Sequence, residues 1–476
     1  MKRLLVSCCF CMCMLAGYAN VVLPNIFGHH MVLQREQPVA IFGQADPGEQ
    51  VSVRFGDQTK RVTTDGGGRW KILLSPMKAS DIGQDLTIQG VNTIVLRDVV
   101  VGEVWICSGQ SNMEYQMRKL EKLSPPQTGG DFPKDEVEIA KNPQIRLFLV
   151  RRKFLTKPDH TYAGWSIAQD SALRQFSAAG YFFAKKVQSE LDVPVGMISA
   201  AVSGSRIEPW IPQVALQHEA YFKGQKIEGD PGKFFESMIA PLAPYTIKGF
   251  LWYQGETNVF LQENISYAYK LKTLIKSWRK QWGDDRLPFY FTQIAPFQYS
   301  IDEAGKQRMS RYVLPAFREA QDLVLQLPHT GRIVTTDLVD DVTDLHPSYK
   351  WEVGRRLALQ ALRKTYNYPL VADGPTCKAI KVRGDMALIV FDHAHGLHTR
   401  DGEALTGFEV AGEDGNFFGA DAYIQRQTVY VSASAVPKIV HVRFAWDEAA
   451  QPNLVNGAGL PALPFRSDNP YKKLKL

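Results

Sequence analysis

A serine, a histidine and several amide side chains stand where apolar runs of this chain end. Val104-Trp105-Ile106-Cys107 is followed by Gly109-Gln110-Ser111-Asn112-Met113, and Ile198-Ser199-Ala200 runs into Ser203-Gly204-Ser205. Phe250-Leu251-Trp252-Tyr253 leads to Gln254-Gly255-Glu256-Thr257-Asn258, and Arg332-Ile333-Val334-Thr335 precedes Asp344-Leu345-His346-Pro347. A serine hydroxyl is a weak nucleophile until a neighbouring base takes its proton. A histidine, with an ordinary pKa of ~6.5, takes and returns a proton near neutrality. Gly204 has no side chain to block its backbone N–H from an oxyanion, and the Gln254 amide can donate to the same charge. Taken singly, each residue has a plainer use: Ser111 as a helix cap, Gly204 as a turn glycine, His346 as a surface residue, Asp344 as the start of a turn. Four polar loops at the ends of four apolar runs are better explained by one site than by four coincidences.

Such loops meet only if the runs are neighbouring strands of one sheet. Nearly continuous apolar runs are expected of parallel strands buried on both faces. Helical patterns alternate with them: Phe176 to Leu191 carries Ala179, Phe182, Phe183 and Val187 at helical spacing, and others cover about Ser266 to Trp282 and Tyr349 to Thr365. Strands are expected at Val193 to Ile198 and Phe289 to Phe291. The alternation predicts an α/β domain over residues 99–366, a parallel sheet sandwiched by helices. Ser111 would lie at the carboxyl edge of the sheet, where open α/β folds bind ligands, with a helix amino terminus behind it. Short strands such as Val39 to Phe42, Val51 to Phe55 and Leu86 to Gln89, separated by Asp46-Pro47-Gly48 and Asp65 to Gly68, predict a β-sandwich over 21–98. Ala387 to Phe391, Phe408 to Val410, Thr428 to Val431 and Ile439 to Phe444 predict a second β-rich domain over 367–476.

The chain has 476 residues, 45% hydrophobic and 22% charged, which is globular composition with room for about three domains. Its net charge of +6 is carried by scattered Lys and Arg, with no basic stripe, so no nucleic-acid partner is expected. Lys2 and Arg3, the apolar run Leu4 to Leu15 and the small exit Ala16-Gly17-Tyr18-Ala19 predict a signal peptide over 1–20. The mature protein is therefore expected to be exported, periplasmic or extracellular, and no stretch reaches the ~20 apolar residues of a membrane span. Cys8, Cys9, Cys11 and Cys13 leave with that leader, so only Cys107 and Cys377 remain, either as two buried thiols or as a pair. Phosphate-loop and His-Glu-x-x-His zinc motifs are missing, as is the Gly-x-Ser-x-Gly elbow of ordinary α/β-hydrolases. Gly457 to Ala462 mimics a dinucleotide fingerprint, but Pro452 and Pro461 make it a loop.

Gly109-Gln110-Ser111-Asn112-Met113, Gln254-Gly255-Glu256 and Asp344-Leu345-His346-Pro347, in this order, resemble blocks I, III and V of the SGNH hydrolases, and the Gly204 segment resembles block II. The branch is the one that holds sialate O-acetylesterases and the similar acetylxylan esterases of carbohydrate esterase family 6. The likeness spans the mature chain, including Leu33, Val101 to Trp105, Ser277 to Gly283, Phe317 to Gln321 and Asn453 to Phe465. It implies an SGNH-type, flavodoxin-like sheet with Ser111 as nucleophile, His346 as base, and an oxyanion hole made by Ser111, Gly204 and Gln254. It implies no metal and no organic cofactor. The sequence departs from the family pattern in two places. The third block commonly supplies an Asn soon after its Gly, a function that here would fall to Gln254, with Asn258 as the other candidate, and Thr343 occupies the usual position of the acid three before His346. Asp344 is the expected acid, Glu256 its rival, and a Ser–His dyad the third arrangement. The implied substrate is an O-acetylated sialic acid, for which Arg206 would bind the carboxylate. Acetylated xylan or another acetylated glycan, acyl transfer to a sugar, and non-catalytic glycan binding are the alternatives.

Overall fold

The computed structural model describes residues 20–122, 132–151 and 164–476. The leader expected over residues 1–20 lies outside them but for its last residue. The site is carried by strands β1 (Thr93–Gly109), β2 (Asn142–Leu149), β3 (Trp165–Ala168), β4 (Val195–Ala201), β5 (Gly249–Tyr253), β6 (Phe289–Thr292) and β7 (Thr330–Ile333). They lie side by side in the order β7-β6-β5-β1-β4-β2-β3. All neighbouring pairs are parallel except β2 with β3, which closes the edge antiparallel. The chain crosses from β4 to β5 over β1, so β1 is the topological switch point where a ligand crevice is expected. The strands β4-β1-β5-β6-β7 stand in the 2-1-3-4-5 order of flavodoxin-like sheets. β2 and β3 lie outside β4 and extend the sheet at that edge.

Side-chain alternation puts helices on both faces. Trp105 of β1 meets Phe183 of α2 (Ala178–Leu191) with ring centroids 5.2 Å apart. Trp252 of β5 points the other way and meets Trp278 of α4 (Ile265–Trp282) at 5.7 Å. Ser177 caps α2 by accepting the Gly180 N–H at 3.0 Å, a contact worth about 1 kcal/mol. Four more helices matter for the site: α1 (Ser111–Glu114), α3 (Glu256–Phe260), α5 (Val313–Asp322) and α6 (Lys350–Lys364); α6 packs on α2, and α5 on α4.

β1 is longer than its apolar run. Its first half pairs antiparallel with Ser80–Gln89 of the N-terminal β region, while its second half is the centre of the parallel sheet. One strand thus crosses the boundary expected at 98/99, and one continuous core joins the N-terminal strands to the α/β layer. The C-terminal strands, from Thr376–Arg383 to Phe465–Arg466, form separate sheets around a core of their own. Cys107 is buried and Cys377 half-buried, both as free thiols.

Candidate active site

Gly109, the last residue of β1, pairs in register with Ala201 of β4 and Tyr253 of β5. The turns leaving three adjacent strands therefore start from one row, which brings Ser111, Gly204 and Gln254 together. Gly109 has φ +145°, and a Cβ there would lie 2.0 Å from the Tyr253 carbonyl oxygen, so only glycine lets β1 turn this close to β5. The Gln110 N–H closes the turn onto that same carbonyl at 3.0 Å. Ser111 then opens α1 as its first residue, behind Gln110 at the cap position. Its Oγ lies 2.8 Å from Nε2 of His346, which arrives on the loop between β7 and α6.

Backbone contacts hold that histidine loop. The His346 N–H donates to Asp344 Oδ1 at 2.8 Å, the Leu345 carbonyl accepts from Asn112 Nδ2 at 3.0 Å, and the Pro347 carbonyl accepts from the Lys350 ammonium. Among the described residues the imidazole makes one hydrogen bond, to Ser111. This corrects the expected role of Asp344. Two residues before His346, its exposed carboxylate folds back onto the His346 backbone, as aspartates do in turns, and reaches the ring by charge alone. Glu256 is fully buried with Oε1 accepting from Asn112 Nδ2 at 2.5 Å, and no hydrogen bond joins it to the ring.

Burial, then the positive charges of Lys350 and Lys119, hold the His346 pKa below its ordinary value, against an opposing pull from Asp344. Lys350 is itself pushed down to about 7 by burial, against the negative charges of Glu256 and Asp344. The active base is the neutral imidazole. The acid limb of kcat/KM is therefore expected below the ordinary histidine value of ~6.5. Lys350→Met removes a neighbouring positive charge and should move that limb upward. Profiles of both enzymes check this, and a wild-type limb above ~6.5, or one that the substitution leaves in place, contradicts it.

On the turn that leaves β4, tied to β1 by the Val202 N–H on the Gly109 carbonyl at 3.1 Å, Gly204 is exposed with φ +70°. Among the described residues, the backbone N–H groups of Ser111 and Gly204 donate to nothing. Gln254 is placed otherwise than expected. Its side chain is fully buried, and its amide nitrogen lies within 3.1 Å of three acceptors, Gln110 Oε1, Ser205 O and Asn258 Oδ1. An amide with two hydrogens already facing three acceptors has none to spare for an oxyanion. Asn258, the other candidate, is equally committed: Oδ1 accepts from the Ile207 N–H and Gln254, and Nδ2 faces Glu208 and Glu263. Both amides brace the floor under the Gly204 loop. Glu114 of α1 ties the same loop down from its rim, accepting from the N–H and Oγ of Ser203 at 2.7 and 2.5 Å.

Arg206 leaves this loop half-exposed. Its sequence neighbour Glu208 is buried and paired with Lys270 at 2.7 Å. Arg206 makes no ion pair among the described residues. With Gly204, Ser205 and Phe234 it lines an open cavity of about 400 Å³ that also holds Lys233 and the carboxylates of Glu228 and Asp230, of which Asp230 pairs with Lys233 at 2.6 Å and feels the charge of Arg206. The sequence reading overlooked Asn112, Glu114 and Lys350. The available signals were adjacency to Ser111 for the first two and a position one helical turn past His346 for the third.

The model of the carbohydrate esterase family described as sialic acid-specific acetylesterase matches residues 101–363, more than half of the chain. The chain belongs to that family. Sialate O-acetylesterase of Homo sapiens is 28% identical over 400 residues, 77% of this chain and 75% of that protein. The Rattus norvegicus protein of the same name is 26% identical over 456 residues, 80% of each chain. Among solved structures, a carbohydrate acetylesterase from Xanthomonas citri is 35% identical with a TM-score of 0.83, covering 94% of this chain and all of that one. This family member is a carboxylic ester hydrolase acting on acetylated sugars. No helix among its described residues is long and apolar enough to cross a membrane.

Proposed function

We propose that this protein is an SGNH-type serine esterase that removes O-acetyl groups from sialic acids through an acetyl-enzyme. The observation that carries the reading is the 2.8 Å contact between Ser111 Oγ and His346 Nε2 at the switch point of the sheet. His346 takes the Ser111 proton as Oγ attacks the acetyl carbonyl. The backbone N–H groups of Ser111 and Gly204 receive the oxyanion, and Gln254 acts from beneath by holding the Gly204 loop. Collapse breaks the ester bond, and the sugar oxygen leaves with the proton carried by His346. Water, activated by the same imidazole, then releases acetate and restores the Ser111 hydroxyl. The leader pattern Lys2 to Ala19 supports an exported, periplasmic or extracellular enzyme.

Arg206 supports an anionic sugar, because a sialic acid presents a carboxylate that a guanidinium grips bidentately, whereas acetylated xylan is neutral there. Acetate release from O-acetylated sialic acids and from acetylated xylan, measured side by side, tests the substrate class. Arg206→Ala is expected to raise KM about tenfold for the anionic sugars, the scale of one charge-assisted contact, and to spare a neutral aryl acetate that effect. Equal KM changes on charged and neutral substrates, or faster release from xylan, would transfer the assignment to a neutral acetylated glycan.

A further inference from the structure

Beneath the Ser111–His346 pair lies a buried contact that the reaction itself does not use. Asn112, 1% exposed, donates through Nδ2 to two acceptors at once: Glu256 Oε1 at 2.5 Å and the carbonyl of Leu345 at 3.0 Å. That carbonyl belongs to the peptide group whose N–H is His346's own, and this N–H donates to Asp344. One peptide plane is thus held at both ends, its oxygen by Asn112 and its N–H by Asp344. The plane sets where the His346 side chain starts, and the ring's other contact is Ser111.

Glu256 decides which way Asn112 faces. An ionised carboxylate only accepts hydrogen bonds, so it selects the Asn112 rotamer that turns the NH₂ toward it, and the second N–H then meets Leu345. If the amide turned over, its oxygen would face both the carboxylate and the Leu345 carbonyl. Burial raises the Glu256 pKa, and the hydrogen bond from Asn112, then the charge of Lys350, oppose that rise. Asn112 Oδ1 and Glu256 Oε2 have no hydrogen-bond partner among the described residues, and backbone groups of Glu256 and Gly255 also act on the carboxyl. A buried polar pair this incompletely satisfied is a poor way to gain stability, since an orphaned buried polar atom has lost its water without gaining a partner. Its geometry has a better explanation in what it aims.

We propose that Asn112 and Glu256 form one positioning unit that holds His346 in line with Ser111 through the Leu345 carbonyl. The proposal rests on the assignment of Ser111 and His346 above. Glu256 acts through Asn112 and never touches substrate, so it is a positioning residue.

The test is kcat per active site, with sites counted by a phosphonate that labels the nucleophilic serine, the reaction being carried to its end point so that slower labelling is not counted as fewer sites. Asn112→Ala is expected to lower kcat about 10²-fold, the cost of ångström-scale misplacement of a reacting group, while KM for a neutral acetate ester changes less than about twofold. Glu256→Ala should do the same. The double variant should be no worse than either single one, because both remove the same unit. Glu256→Gln keeps an acceptor for Asn112 but loses the selection of its orientation, so its loss should be smaller. A merely structural role would lower the number of labelled sites and leave kcat per site intact. Wild-type kcat per site in Asn112→Ala, additive losses in the double variant, or equal losses in Glu256→Gln and Glu256→Ala overturn the proposal. If the alanine variants do not fold, Asn112→Ser carries the same comparison: lowered kcat per site supports the proposal and wild-type kcat overturns it. The outcome is separate from that of Ser111→Ala, since an active Ser111→Ala enzyme refutes the underlying assignment, while an inactive one beside a fully active Asn112→Ala refutes only the positioning unit.

Discussion

Ser111→Ala is expected to lower kcat/KM for acetate release by about 10³-fold or more, the scale on which losing a covalent nucleophile is felt. Its thermal midpoint should scarcely move. The hydroxyl is half-exposed and makes one side-chain hydrogen bond, to a histidine that is itself half-buried. Such a bond contributes about 0.5–1.5 kcal/mol at most, and water replaces it when the hydroxyl is gone. The turn that presents residue 111 is built by Gly109 and by the Gln110 N–H on the Tyr253 carbonyl, both untouched by the substitution. Catalysis and stability therefore separate at this position. Rates on an aryl acetate and a melting curve of the same preparation check both halves. Retention of more than about one per cent of the rate would remove Ser111 from the nucleophile's role.

The parts of this site legible in the sequence are those fixed by local pattern. Apolar runs such as Gly249–Tyr253 are buried along their whole length, so their character as central strands and the polar residues at their ends could be read directly. The row that aligns Gly109, Ala201 and Tyr253 could not, because register is a relation between distant segments. β2 and β3 were missed for a related reason. Asn142–Leu149 is apolar only in its second half, and Trp165–Ala168 is four residues long. The domain boundary near residue 98 reflected a change in texture, whereas β1 runs through it and serves two sheets. Side-chain assignments failed where one residue type has several uses. Gln254 could donate to an oxyanion or to protein acceptors, and Gln110, Ser205 and Asn258 surround it. Asp344 could hold the imidazole or the backbone two residues on, and the turn gives it the backbone. Asn112 was hidden by its neighbour, since nothing in a sequence says that the residue after a serine reaches both another strand's helix and the histidine loop.

His346→Ala should be almost as damaging as Ser111→Ala, by about 10³-fold or more, and the double variant no worse than either. The two side chains perform one event: without the imidazole the hydroxyl keeps its proton, and without the hydroxyl the imidazole has nothing to activate. Independent contributions would multiply, so a double variant slower than both by a further large factor would contradict a shared role. Asp344→Asn offers the contrast. Where a buried carboxylate holds the histidine ring, replacing it with an amide spoils the tautomer and costs about 10⁴-fold in kcat, as in the serine protease triad. Here Asp344 accepts from the His346 backbone N–H, a bond that an asparagine oxygen can also accept. What the substitution removes is a partly screened negative charge beside the imidazolium. The expected loss is therefore within about tenfold, the scale of an exposed charge contact. Measured beside His346→Ala, this loss separates two arrangements. A near-complete loss in Asp344→Asn would mean that the aspartate swings onto the ring during turnover. A small loss leaves a Ser–His pair whose base is aimed by its backbone.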